Sequence, residues 1–262
     1  MTPIFRRPLL AASLLVLLLA ACQGGSTASQ TASSTVPPAA SSATPASSVA
    51  ERPVSLERPT DIPTDGSCVP GHPCLGLLAP GPYHSEDFAS GFAFTIAKAG
   101  WQNREEVAWV LPLLPIDHPG DALVFFRNPR VSADDGSVLS SVAADVPSML
   151  AWFAANPSLE MTKPVDVNIG GLAGTQFDIS VAKGAANTDA SCPVRVCQAI
   201  LAGQAAPGQS WGWGLAGIEK ERIYLLTDAT GTIAVVVDSV DGASFDDLTS
   251  RASEILATVK FD

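Results

Sequence analysis

The chain has 262 residues, 26 of them acidic and 15 basic, for a formal net charge of −11 at neutral pH. Affinity for nucleic acid is built on lysine and arginine neutralising phosphates, so this balance argues against a nucleic-acid partner and equally against electrostatic docking on anionic lipid. Branched and aromatic residues are plentiful after Phe88, enough for one domain with a sizeable core.

The chain opens on Arg6 and Arg7, an apolar run from Leu9 and small residues before Cys22. That run is too short and too asymmetric for an ordinary spanning helix. Leu19-Ala20-Ala21-Cys22 resembles the lipobox of bacterial lipoproteins. The resemblance implies a signal peptide over residues 1–21, acylation (palmitate among the acyl groups) of Cys22, and anchorage to a bacterial membrane at the cell surface or in the periplasm. Residues 22–52 are dominated by Ser, Thr, Ala, Gly and Pro, with no aromatic and a single acid, Glu51. Such a segment buries too little apolar surface to offset the entropy of ordering, so it reads as a disordered tether. Residues 53–82 read as a Pro/Gly-rich lead-in loop and residues 83–262 as a single α+β domain.

Within the domain, Phe92, Phe94 and Ile96 alternate with Ala93, Thr95 and Ala97, the period of a half-buried strand. Val107 to Leu111 and Ala122 to Arg127 are further strands, the second apolar on both faces and therefore central. Asp145 can cap a helix that tolerates Pro147 in its first turn and ends at Asn156-Pro157. Val165, Val167 and Ile169, then Phe177, Ile179 and Val181, alternate on either side of Gly170-Gly171, which predicts a hairpin. A strand around Val196 to Leu201 precedes a glycine-rich passage with Trp211 and Trp213. Arg222 to Asp228 and Thr232 to Val240 form a second hairpin through Ala229-Thr230-Gly231. Ser244 with Asp247 suggests a capping box, and Leu248, Ala252, Ile255, Leu256 and Val259 mark the stripe of a closing helix.

This order predicts an α+β fold, an antiparallel sheet of roughly six to eight strands covered by helices near 146–155 and 245–258. Phe92-Ala93-Phe94-Thr95-Ile96 leading to Gly100-Trp101, the Gly170 to Gly174 turn before Phe177-Asp178, and the Arg222-Ile223-Tyr224 hairpin resemble the PsbP-like/Mog1-like α+β sandwich from Tyr83 to Phe261. Members of that fold are mostly non-enzymatic interaction or assembly factors, which implies a binding role.

Four cysteines beyond Cys22, namely Cys68, Cys74, Cys192 and Cys197, form an even set that suits disulfides in an exported chain; local pairs are favoured among three connectivities. A zinc site including His72 lacks the usual ligand spacing. Gly208-Gln209-Ser210-Trp211-Gly212 matches the Gly-x-Ser-x-Gly elbow by letter, but an elbow needs a strand before the serine, a helix after it and a later histidine, and none follows His118. His72, His84 and His118 read as loop residues. Asp134-Asp135-Gly136 and Asp238 to Asp241 read as turns, without the spacing of a calcium loop. Trp211 and Trp213 share one face of an extended segment among glycines, a candidate stacking platform or the edge of the core.

The sequence therefore predicts a membrane-anchored extracytoplasmic lipoprotein with a non-enzymatic binding or assembly domain. Its partners are the membrane, through the lipid on Cys22, and an envelope protein or glycan. No catalytic residue, cofactor or metal is assigned. A Ser210 hydrolase of envelope material and a purely structural accessory are the alternatives.

Overall fold

A computed structural model describes residues 75–85, 87–88, 92–186, 196–206 and 209–261. All of them fall within one compact unit, Ser55–Asp262. In chain order the first strands are β1 (Gly76–Leu78), β2 (Gly81–Ser85), β3 (Phe92–Ile96), β4 (Trp101–Asn103), β5 (Val110–Pro115), β6 (Ala122–Arg127) and β7 (Arg130–Val131). Helix α1 (Val146–Ala155) is followed by β8 (Leu159–Met161), β9 (Val165–Ile169), β10 (Leu172–Val181), β11 (Cys197–Ala206), β12 (Gln209–Ala216), β13 (Lys220–Asp228) and β14 (Gly231–Ser239). Helix α2 (Phe245–Leu256) and β15 (Lys260–Phe261) close the chain.

The main sheet has nine antiparallel strands in the order β1-β4-β5-β6-β14-β13-β10-β8, with β9 also paired to β10. Its centre is β6, β14 and β13, whose near-continuous apolar sequences suit strands covered on both faces. One face carries Leu123, Phe125, Val235 and Val237 and packs against α2 and a three-stranded sheet, β15-β3-β2, that contributes Phe92 and Phe94. The other carries Val124, Phe126, Ala234 and Val236 and packs against α1 and a second three-stranded sheet, β12-β11-β7, that contributes Ile200 and Leu201.

This arrangement corrects the expected single sheet covered by helices. Among the described residues strand makes up 51% and helix 13%, with only two helices, so this part of the chain is mostly antiparallel β. The two helices do form close to the predicted residues, but they are too small to be the cover. A ten-residue helix is about 15 Å long, whereas the eight strands abreast across the sheet span about 34 Å. Each face is closed by one helix together with a small sheet. Two local expectations also shift: the strand predicted from Val107 begins at Val110, with Val107 making only an isolated bridge to it, and the glycine-rich passage around Trp211 is strand β12.

The helix starts differ as well. Asp145 caps α1 as expected, accepting from the Ser148 amide at 2.8 Å. Ser244 precedes α2 but makes no cap bond with its side chain, so the capping box does not form. Its hydroxyl instead donates to Asp121 Oδ2 at 2.5 Å, while Asp246 and Asp247 place negative charge in the first turn of the helix.

Candidate functional site

Strands β13 and β14 pair so that Glu221 lies directly opposite Asp238. Cross-strand partners share a face with Cβ atoms about 4.5–5.5 Å apart, and like charges there repel. Both side chains are on the face that carries α1, in line with Ile223 and Leu225 on β13 and Ala234 and Val236 on β14. Glu219, in the turn between β12 and β13, completes the group: one oxygen from each of Glu219, Glu221 and Asp238 lies within 4.8 Å of the other two.

Glu221 is 0% and Asp238 6% exposed, while Glu219 is half-buried. Glu221 Oε1 accepts from the Trp213 indole N–H at 3.1 Å, and a Glu219 oxygen accepts from the Ala216 amide. Glu221 Oε2 and Asp238 Oδ1 are buried with no hydrogen-bond partner among the described residues. A buried acceptor left without a donor costs roughly 1–3 kcal/mol, more when charged, so each such atom calls for an explanation. Among the described residues no lysine, arginine or histidine makes an ion pair with any of the three. Burial, then the neighbouring Asp238 charge, pushes Glu221 well above the carboxylate range. Burial, followed by the charges of Glu219 and Asp121, pushes Asp238 up to about 8, and burial also raises Glu219. Nearby Asp121 is buried but fully engaged, accepting from the Val240 amide at 3.1 Å and from Ser244.

The second candidate is a groove of about 670 Å³ lined by Trp109, Arg127, Asn128, Arg130, Gln204 and Thr230, with neighbouring small residues. Trp109 stacks on Trp211 at 5.2 Å and 12°, and Trp211 stacks on Phe126 at 4.8 Å and 11°. Gly203, also in the groove wall, is required by this packing: a Cβ there would stand 2.6 Å from the Trp211 ring. Arg127 donates to Thr230 Oγ1 at 2.5 Å and pairs with Asp228 at 3.5 Å. Arg130 donates to the Val142 carbonyl at 2.7 Å, while its Nε is buried with no partner among the described residues.

Trp211 and Trp213 are both half-buried. They are brought together around Phe126, on which Trp213 packs edge-on at 5.4 Å, and Trp213 serves the carboxylate cluster. Ser210 is exposed within β12, opposite Gln204 on β11, so the chain continues as strand where an elbow would need a helix. His84 lies in β2, not in a loop, and His118 in the exposed loop before β6. Asp135 accepts from Ser137 in a turn, as expected, but Asp238 belongs to strand β14. Cys197 opens β11 and is buried; Cys22, Cys68, Cys74, Cys192 and His72 lie outside the described residues.

Sequence reasoning did not single out Glu219, Glu221, Trp109 or Arg130. The available signal for the cluster was a carboxylate at an inward position of an otherwise apolar alternation, Glu221 with Ile223 and Leu225, and Asp238 with Val236 and Ala234.

No protein-family model and no curated protein matches the chain. Among solved structures, the fold overlays on the PsbP of the cyanobacterium Synechocystis, CyanoP, with a TM-score of 0.38 and 9% identity over 75% of this chain and 98% of that one. A crystal structure from Bacteroides thetaiotaomicron overlays with a TM-score of 0.32 and 12% identity over 71% of this chain and 49% of that one. These overlays amount to a weak PsbP-like likeness of fold and carry no weight for function.

Proposed function

We propose that the chain is a lipoprotein anchored by Cys22 on the extracytoplasmic side of a bacterial membrane, and that its β-rich domain binds an envelope ligand without turning it over. The observation that carries the binding role is the groove beside the aromatic stack. It combines an indole, Trp109, with donors and acceptors from Arg130, Asn128, Gln204 and Thr230. A flat ring flanked by polar side chains is the chemistry that recognises a sugar, with an apolar surface for the pyranose face and hydrogen bonds for its hydroxyls. This favours an envelope glycan over a protein as the ligand. Trp211 supports the site by holding Trp109, while Trp213 is engaged with Glu221.

The test is saturation-transfer NMR of the soluble domain with solubilised envelope glycan fragments. Transfer from the protein to the glycan in the wild type, lost in Trp109→Ala, is expected. No transfer, or hydrolysis of the fragments by the wild type, would overturn the reading. The anchor is tested separately: Cys22→Ser should release the protein from the membrane fraction, and unchanged membrane association would refute lipidation.

A further inference from the structure

We propose that Glu219, Glu221 and Asp238 form a binding site for a hard divalent cation, of which calcium fits best. This site is separate from the groove and does not depend on the binding role assigned to it.

Three carboxylates converge, with one oxygen from each within 4.8 Å of the others. Oxygens that share one calcium ion at 2.3–2.6 Å stand at most about 5 Å apart, so the group can close on such an ion without moving its strands. An all-oxygen, all-carboxylate set suits calcium, magnesium or manganese and lacks the nitrogen and sulfur donors of zinc. Magnesium demands shorter bonds in near-ideal octahedral order, whereas calcium tolerates an irregular set completed by water.

The second observation is independent of the clustering. Glu221 and Asp238 each present a buried oxygen that no described residue satisfies, although the neighbouring buried Asp121 has donors for both of its oxygens. The fold thus supplies donors to both oxygens of one buried acid and leaves one oxygen on each of the two that face each other without a donor among the described residues. A cation between Glu221 and Asp238 would satisfy both oxygens and cancel the repulsion of the pair. The frame around the site is also fixed. Trp213 orients Glu221 through Oε1, leaving Oε2 unengaged, and Glu219 is held by the Ala216 amide. Hydrogen bonds to the ligands of this kind tune a metal site.

Terbium, a calcium mimic whose emission is sensitised by a nearby indole, provides the test. The chelator-treated soluble domain is titrated with terbium and then with calcium. One terbium per chain, indole-sensitised emission and displacement by calcium are expected. Glu221→Gln and Asp238→Asn should each weaken binding by about a hundredfold, and Trp213→Phe by about tenfold. Trp213→Phe should also lose much of the sensitised emission even at saturation. Asp135→Asn, in an exposed turn, should bind as the wild type does. Absence of stoichiometric binding of either ion to the wild type would overturn the proposal, as would wild-type affinity in both Glu221→Gln and Asp238→Asn. Should either substituted protein fail to fold, the wild type still decides, because calcium must raise its melting temperature and chelator must reverse the gain; an unchanged melting temperature overturns the proposal.

Discussion

Glu221 and Arg222 are neighbours on β13 that point to opposite faces of the same sheet, and the two faces treat their charges differently. Arg222 lies directly across from Asp178 on β10 and grips it with two hydrogen bonds, at 2.6 and 3.0 Å. Glu221 lies directly across from Asp238 on β14, acid against acid, with a buried oxygen on each left without a donor among the described residues. One strand therefore carries a cross-strand pair complete within the protein and another that calls for a proton or a cation. Opposite charges at such positions stabilise a sheet and like charges weaken it. The second pair is consequently the place where the fold accepts a local cost, as ligand sites do.

Of the changes that should perturb the two pairs, pH should have the largest effect. Asp238 has its ordinary value of 3.8 when unfolded and is pushed up to about 8 in the fold by burial and then by the charges of Glu219 and Asp121, with Glu221 also facing it. The folded state then binds the extra proton, so this group's contribution to stability is full below 3.8, declines as pH rises towards about 8 and is level above it. Urea unfolding of the metal-free wild type should show its midpoint falling between about pH 6 and 8, and Asp238→Asn should flatten that slope. Equal slopes would show that Asp238 does not hold the proton.

On the other face, Asp178→Ala should cost about 2 kcal/mol, because it strips a partly buried guanidinium of two charge-assisted bonds. Chemical denaturation checks this, and a loss within error would mean that water replaces the carboxylate. The opposite sign is expected for Glu221→Gln without metal. Its amide offers Asp238 a donor, so stability above pH 8 should rise by about 1 kcal/mol. The smallest effects concern the helix starts. Asp145→Ala should lower the melting temperature slightly through loss of the bond to the Ser148 amide. Ser244→Ala should act through Asp121 rather than through α2, visible as faster amide exchange at Val240, whose amide Asp121 holds.

What could be read in the sequence follows the range of the interactions. Both helices were legible because their signals are local, the Asp145-Pro147 start and the apolar stripe through Leu248, Ala252 and Ile255. The two long hairpins were legible because β9 pairs β10 and β13 pairs β14 across short turns. The three-sheet architecture was not, since β1 pairs β4 and β15 pairs β3, contacts between strands of two to five residues far apart in the chain. Strand β12 was obscured by Gly212 and Gly214, which have low strand propensity and are carried by pairing with β11. The carboxylate cluster depends on register: a one-residue slip would send Glu221 and Asp238 to opposite faces of the sheet. The groove draws on β6, β7, β11 and the loops between strands, so no stretch of sequence contains it.

The acid-against-acid pair is proposed to close on a cation. The most direct measurement is an anomalous difference map from crystals of the domain grown with calcium. The expected result is one ion about 2.3–2.6 Å from oxygens of Glu219, Glu221 and Asp238. A map with no ion there, and with the Glu221 and Asp238 carboxyls at hydrogen-bonding distance from each other, would contradict it and leave a shared proton in its place.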